Sequence, residues 1–371
     1  MTNANYSDRI AALRARMEET NTDLVALGPS THMAWLSGVN PHGDERPVML
    51  LVGPKEAGFL MPSLNADSAR QMTELPFFPW KDDEGPSEAL SRLLSHVGVA
   101  EKTDPSIVID ETMRADFAFR LTDALPTQYR RFTDDTVGLL RSRKDASEKA
   151  AIKAAHLLND QAVQIAFDSL KEGMTERDLQ DIIRGHYKAN GATPEFTIVG
   201  FGANGAFPHH HTGDTQLVKD MAVLIDTGCR LDGYPSDMTR CGYFGQPNST
   251  YEDVFATVEL AVKAALTAAK PGAKASEVDA AARDVISAAG YGDLFLHRTG
   301  HGLGVDVHEP PYITASSDVV LETGNVFSIE PGIYVPGQFG VRLEEIVILT
   351  ENGNEVFSEM PRSMQNRPAQ N

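Results

Sequence analysis

Cysteine is scarce in this chain: Cys229 and Cys241 are its only two, and they form no C-x-x-C. Neither a disulfide framework nor a thiolate metal site is indicated, and the pair is read as two small buried residues. A positive surface is also missing, since Asp and Glu outnumber Lys and Arg 52 to 33 and the formal charge is −19. Phosphate backbones and acidic lipids do not attract such a surface, so no nucleic acid and no membrane is expected among the partners. No run of about 18 consecutive apolar residues occurs, and MTNANYSDRI at the start carries no basic region followed by an apolar stretch. A cytoplasmic location is expected.

What is present is enough apolar residue, 42% of 371, for real cores, and a length that suggests two domains at roughly 100–200 residues each. Residues 6–19 carry apolar side chains at helical spacing. Strand patterns follow at 23–27, 47–52, 58–61 and 106–109, alternating with helical stretches near 64–73 and 87–97. We therefore expect a small α/β domain over residues 1–140. His32, His42 and His96 lie there with no shared spacing and are assigned no catalytic role. The polar run Leu140-Arg-Ser-Arg-Lys-Asp-Ala-Ser147 marks the boundary, and a second domain is expected over 147–359, with a polar tail over 360–371 that should fray.

The second domain contains an internal repeat. Lys171-Glu-Gly173, Asp178-Leu179 and Ala189-Asn-Gly191 recur as Lys270-Pro-Gly272, Glu277-Val278 and Ala288-Ala-Gly290, each copy reading as a long amphipathic helix with a glycine stop and a second helix before apolar strands. Two copies suggest a duplicated half-domain with pseudo-twofold symmetry. After the first copy, Ile225–Arg240 (IDTGCRLDGYPSDMTR) turns at Asp232-Gly233. A two-residue type I′ hairpin there sets Asp226 opposite Thr239 and Asp237 opposite Gly228, so both carboxylates share one face as diagonal neighbours about 7–8 Å apart or closer. Two such groups repel unless one takes up a proton or a cation lies between them. The second half has a counterpart: Glu330 and Glu344 are centred on Gly337, so a reversal at Pro336-Gly337 places them opposite each other.

Between the hairpins lies His297-Arg-Thr-Gly-His301-Gly-Leu-Gly-Val-Asp-Val-His308, in which the glycines allow close backbone approach and the alternation from Val305 to His308 suggests a strand. Ala206-Phe-Pro-His209-His210-His211 forms a loop ahead of the first carboxylate strand. Four carboxylates and one imidazole suit Mn, Co, Fe or Zn, and four negative charges match two divalent ions. Two such ions can hold a bridging hydroxide and polarise a carbonyl, which implies metal-assisted amide hydrolysis.

In their order, DTG…YPSDMTR, HRTGHGLG…VHE, FSIEPGIY and GVRLEE resemble the metallopeptidase family of aminopeptidase P and prolidase, with its pita-bread fold behind a smaller creatinase-like N-terminal domain. The resemblance implies an α/β (α+β) enzyme, a homodimer, acting on proline-containing peptides with two divalent ions, manganese first. It implies that Asp226 binds one ion, that His301 and Glu330 bind the other, and that Asp237 and Glu344 bridge. His209 and His308 match the substrate and oxyanion histidines, Glu330 the proton shuttle, Arg342 the ligand-orienting arginine and Tyr334 a site tyrosine. One position departs. Dipeptide-specific members commonly carry an arginine four residues after the second histidine to grip the free carboxylate, and this chain has Tyr312 there. A tyrosine offers one hydrogen bond and no charge, so, unless another arginine supplies it, release of an N-terminal residue from longer Xaa-Pro peptides is expected over dipeptide cleavage. Prolidase activity, dimethylsulfoniopropionate lysis and ectoine-ring opening are the alternatives that keep metals. Creatinase lacks the ligand set, and a metal-free binding scaffold of the same fold fits the intact ligands poorly.

Overall fold

A computed structural model describes residues 6–368, which divide into two compact units, one up to Arg141 and the other from Ser142 onward. The first unit is one six-stranded sheet with helices. Its strands are β1 (Leu24–Leu27), β2 (Met49–Val52), β3 (Ala57–Pro62), β4 (Phe77–Trp80), β5 (Ile107–Ile109) and β6 (Arg130–Arg131), in the order β4-β3-β2-β1-β5-β6. Every residue of β1, β2 and β3 is buried, which is why these runs read as continuously apolar rather than alternating. Six helices complete the unit: α1 (Tyr6–Glu19), α2 (Thr31–Ser37), α3 (Ser63–Ala69), α4 (Ser87–His96), α5 (Ala115–Ala124) and α6 (Val137–Ser142), the last ending one residue into the second unit. His32 is tied into this unit's polar network, its Nε2 3.1 Å from Glu111 and its Nδ1 facing the Arg141 guanidinium at 2.9 Å. Because a guanidinium can only donate, Nδ1 accepts and Nε2 donates to Glu111, which makes His32 a structural residue.

The second unit starts on α7 (Ala146–Asp168), which a capping box begins: Asp145 accepts from the Glu148 amide and Glu148 from the Asp145 amide. Next come α8 (Glu176–Ala189), β7 (Thr193–Phe201), β8 (Met221–Leu231), β9 (Tyr234–Pro235) and β10 (Met238–Phe244). The second copy follows with α9 (Ser249–Ala268), α10 (Ala275–Ala288), β11 (Gly300–Gly302), β12 (Glu309–Ile313) and β13 (Val326–Ile329). The chain closes with β14 (Gly332–Val335), β15 (Phe339–Arg342), β16 (Glu345–Thr350), β17 (Gly353–Val356) and β18 (Gln365–Arg367). One sheet runs β18-β10-β8-β7 and the other β12-β11-β13-β16-β17, with β14-β15 as a separate ribbon. The repeat in sequence is a repeat in structure. Gly173 and Gly272 follow the long helices with φ of 83° and 88°, and each donates its N–H over 2.8 Å, to Leu217 and Leu321 respectively.

Strand β8 is buried on both faces and sorts its side chains by parity. Val223 and Ile225 join the core under α7 and α8, whereas Ala222 and Leu224 join the core under α9 and α10. Asp226 continues the second series, and its register partner Thr239 shares that face, as Cys241 opposite Leu224 does. Both cysteines are free and fully buried.

Two expectations fail here. Residues 303–308 form a bent loop rather than a strand, because the β11–β12 pairing shifts register after His301 and Glu309 is anchored on Lys144 at 2.7 Å. Within the tail, Gln365–Arg367 is a strand that pairs in parallel with Gly242–Phe244, while 369–371 lie outside the described residues. A polar segment can do this because an open sheet edge recognises backbone, not side chains.

The fully buried Arg240 ties the tail to the second hairpin. It donates to the carbonyls of Glu344 (2.5 Å) and Met360 (2.8 Å) and to the Glu345 carboxylate (3.0 Å). Replacing Arg240 with Met strands a buried charge and two carbonyls. Arg362 also reaches Glu345, at 2.9 Å, so the loss in urea unfolding is expected at the lower end of roughly 3–5 kcal/mol, with part recovered in Arg240→Met/Glu345→Gln.

Candidate metal centre and active site

The first hairpin turns as its sequence demands. Asp232 and Gly233 both have positive φ, 49° and 90°, as a type I′ turn requires, and Asp226 lies opposite Thr239. The second is longer but equally regular. Gly332 faces Arg342 and Val335 faces Phe339 across the Gly337 turn, and the same register resumes where Ile329 faces Glu345 in the larger sheet. Glu330 and Glu344 therefore stand opposite each other in the short gap where neither ribbon nor sheet claims them. The Glu344 amide, free of a strand partner, donates to the Thr239 carbonyl at 3.2 Å and draws the two hairpins together.

His301 enters the same space from β11, and only glycine could flank it. A Cβ on Gly300 would lie 1.8 Å from the Ser328 carbonyl oxygen, and one on Gly302 would lie 2.3 Å from that of Pro310. The His301 Nδ1 faces its neighbour's carbonyl oxygen at 3.1 Å and donates to it, which leaves Nε2 as the ring atom turned toward the carboxylates. Nε2 points at Glu330 (3.2 Å) and Asp237 (3.7 Å). Within 4.8 Å of one another lie ligand atoms of Asp226, Asp237 and Glu344, and likewise of His301, Glu330 and Glu344. His308, its ring 4.0 Å from that of His301, can join Asp237 and His301 in a third such group.

All five residues fit divalent cations on chemical grounds. Oδ1 of Asp226 and Oε1 of Glu344 are buried and have no hydrogen-bond partner, and an orphaned carboxylate oxygen inside a protein needs a proton or a cation. The electrostatics agree. Burial, followed by the charges of Glu344, Asp226 and Glu330, pushes the Asp237 carboxyl well above its usual range, and burial with Glu330 and Asp226 does the same to Glu344. Burial also raises Asp226, although the Arg342 guanidinium opposes the rise. Glu330 goes the other way: burial would raise it, but the hydrogen bond and charge of His301 prevail and hold it down to about 2.

Around the carboxylates sits a layer that orients them. Arg342 donates to Asp226 (2.5 Å), to the Thr239 hydroxyl (2.9 Å) and to the Tyr334 hydroxyl (2.7 Å). Thr239 donates to Glu344 at 2.8 Å, and Ser328 to Glu330 at 3.1 Å. Arg342 thus touches a candidate ligand directly, and the Tyr334 hydroxyl contacts both Arg342 and His297. Sequence reasoning missed His156. On the buried stripe of α7, it donates from Nδ1 to the Ile152 carbonyl (2.8 Å) and accepts at Nε2 from the Asp237 amide (3.3 Å). Burial holds its imidazole down to about 4, so it stays neutral and keeps both roles. The signal was available, since His156 and Asn159 interrupt an otherwise apolar helix face.

A cleft of about 1020 Å³ opens over these groups. It is lined by His209, His297, Arg298 and His308 together with the apolar Phe196, Ile198, Phe207, Leu296 and Val307. The three consecutive histidines separate cleanly: His209 lines the cleft, whereas His210 turns away to Glu176 (2.8 Å) and His211 is exposed. Burial and then the charges of His301 and Arg298 hold the His308 imidazole down to about 4. Tyr234 is scaffold, bonded to Glu148 at 3.0 Å. Tyr312 faces His301 across β11–β12.

The raised carboxylates dictate how metal-free protein responds to pH. Folded Asp237 and Glu344 hold protons that the unfolded chain releases near 3.8 and 4.5, so stability is lost as pH rises from about 4 through the raised values. Chelated protein should melt highest near pH 5 and several degrees lower at pH 8, while cation-loaded protein keeps its melting temperature. At pH 8, chelated Glu344→Gln should melt above chelated wild type. A chelated wild type whose melting temperature rises toward pH 8 would contradict the assignment.

Residues 150–351 match metallopeptidase family M24 and residues 9–144 match the creatinase/prolidase N-terminal domain. An Xaa-Pro dipeptidase from Pyrococcus furiosus is 32% identical over 359 residues, covering 96% of this chain and 99% of that protein. The crystal structure of dipeptidase PepE from Mycobacterium ulcerans superposes with a TM-score of 0.93 at 32% identity, over 98% of each chain. That of X-Pro aminopeptidase from Thermotoga maritima MSB8 gives 0.83 at 27%, over 96% of this chain and 99% of that one. The two units are thus a creatinase-type N-terminal domain and a pita-bread domain, in the α/β class expected, and the chain belongs to metallopeptidase family M24.

Proposed function

We propose that this protein is a metal-dependent Xaa-Pro dipeptidase, cleaving the bond before a C-terminal proline. The carrying observation is full-length similarity to a protein named Xaa-Pro dipeptidase, combined with a buried cluster of four carboxylates and one imidazole that is incomplete without cations. The Tyr312 argument favoured aminopeptidase action on longer peptides. The relatives support the dipeptidase alternative better, and absence of charge at one position does not exclude it.

In this reading Asp226, Asp237, His301, Glu330 and Glu344 hold two divalent ions, with manganese the first candidate for so oxygen-rich a set and Co, Zn or Fe behind it. Such ions supply Lewis acidity toward the scissile carbonyl and a water of lowered pKa. The chain's own groups do the rest. Glu330 accepts the proton of the attacking water and returns it to the departing proline nitrogen. His308 and His209, both lining the cleft, donate to the oxygen that gains negative charge. Phe207 and Leu296, 63% and 62% exposed at the cleft wall, offer apolar surface to the proline ring and the preceding side chain.

The test sets Ala-Pro beside Ala-Pro-Ala with manganese-reconstituted protein. Hydrolysis of Ala-Pro at least about tenfold faster in kcat/KM is expected. Glu330→Ala should lose more than about a hundredfold in kcat, and His308→Ala about ten- to a thousandfold. Cleavage of the tripeptide alone would make the enzyme an aminopeptidase, and silence on both would overturn the peptidase reading.

A further inference from the structure

Glu176 is the first residue of α8 and is fully buried, yet the helix does not use its carboxylate. Thr175 and Asp178 already close the capping box at this end. At the matching place in the second copy Ala275 opens α10 with the same backbone contact, its N–H donating to the Val319 carbonyl as that of Glu176 donates to Thr215. A helix of this kind therefore starts without an acid. Burying one is unfavourable unless its oxygens find donors, and the donors identify what the acid is for.

All of them come from the segment that carries His209. Oε1 of Glu176 accepts from the Phe201 amide and the Asn204 side chain, both at 2.8 Å, and Oε2 from the Gly213 amide at 2.9 Å and from His210 Nε2 at 2.8 Å. Between these anchors the chain bonds to itself: the Phe207 N–H donates to the Asn204 carbonyl at 3.2 Å, and the His210 N–H to the Phe207 carbonyl at 3.1 Å. A ring of hydrogen bonds thus leaves Glu176 through Asn204, passes Phe207 and returns through His210. The turn before it is seated on the second hairpin, where a Cβ on Gly340 would lie 1.9 Å from the Gly205 carbonyl oxygen. His209 lines the cleft and makes no side-chain hydrogen bond among the described residues, so its place is set by this backbone.

We propose that Glu176 is a positioning residue, which through His210 and Asn204 holds the loop so that His209 meets the reacting carbonyl. The proposal rests on the peptidase reading, in which His209 donates to the oxygen that gains charge. Placement decides the strength of such a donor, which acts at about 2.7–3.1 Å from that oxygen and loses most of its effect about 1 Å away. His210 is then half of a clamp on its neighbour rather than a surplus histidine.

The experiment follows Ala-Pro hydrolysis by manganese-loaded wild type, Glu176→Gln, His210→Ala, His210→Gln and His209→Ala, and by His209→Ala combined with each of the first two, with bound metal and amide hydrogen exchange across 201–213 measured alongside. Glu176 faces donors on every side, so an amide in its place sets one N–H against another. Glu176→Gln should lower kcat on the order of 10- to 100-fold and His210→Ala about tenfold, with metal content and KM within about twofold of wild type and faster exchange across 201–213. His210→Gln should recover part of the His210→Ala loss, because its amide can donate to Glu176 in place of the imidazole. On top of His209→Ala, either substitution should cost less than about a further threefold, since the donor it places is gone. Losses that instead multiply with that of His209→Ala, at wild-type metal content, overturn the positioning role and leave the peptidase reading intact. If Glu176→Gln does not fold, His210→Ala alone and on His209→Ala decides by the same criterion. His209→Ala with wild-type kcat removes the oxyanion histidine and the positioning role together. Wild type that cleaves Ala-Pro-Ala and not Ala-Pro overturns the dipeptidase reading, and the same comparison on the tripeptide then tests the clamp.

Discussion

Mutual repulsion of buried carboxylates is the constraint on which the second domain depends. Asp226, Asp237, Glu330 and Glu344 occupy one small volume, and two of their oxygens have no protein partner. Left alone, such groups separate, swell the structure or take up protons. What keeps them together is that each is fixed by its own backbone. Asp226 is in the middle of β8, paired on both sides, and Glu330 and Glu344 are held between two stretches of matching register. The main chain cannot yield without breaking a ladder on each side, so the cost appears as raised pKa values rather than as movement. Among the described residues only one guanidinium, that of Arg342, bonds to the cluster. A second would satisfy the carboxylates and leave nothing for a cation.

Duplication explains how one chain builds such a cluster. Each half brings a helix pair ending in left-handed glycines and a hairpin whose inner face bears carboxylates. The parity of β8 sends alternate side chains into the cores of the two halves, so the face that carries Asp226 is the face that meets the other half. The ligands thereby converge without any loop having to find its way there. His301 is the exception to the symmetry, and its two glycine neighbours, pressed against carbonyl oxygens, show how little room remained for it.

Hairpin geometry was legible in the sequence because it is local: Asp232-Gly233 permits one turn, and that turn fixes the facing residues. The pairing of Glu330 with Glu344 was legible for the same reason, through Gly337. Harder to read were features set by distant partners. The alternation in Val305–His308 has strand periodicity, yet Glu309 is pulled to Lys144, far back in the chain, and the segment bends. Gln365–Arg367 carries no strand signal and becomes one because β10 offers an edge. Arg240 looks like any arginine near a turn, and its work depends on the Glu344 carbonyl; His156 shows as a polar break in a helix face, but its partner, the Asp237 amide, does not. Tyr312 is the instructive case. Its missing charge favours an aminopeptidase, whereas full-length relatives named Xaa-Pro dipeptidase favour the alternative, and one position does not decide between them.

The division of labour between ladder and loop accounts for the variety of activities named among proteins of this fold. The candidate cation ligands stand on strands or in gaps held by strands, where they cannot be moved independently. The groups that would meet the rest of a substrate occupy irregular segments: His209 and Phe207 after the turn Gly202–Ala206, Leu296 to Arg298 before β11, and His308 in the bent loop. These can change without disturbing the carboxylate register, because no ladder bond depends on their side chains.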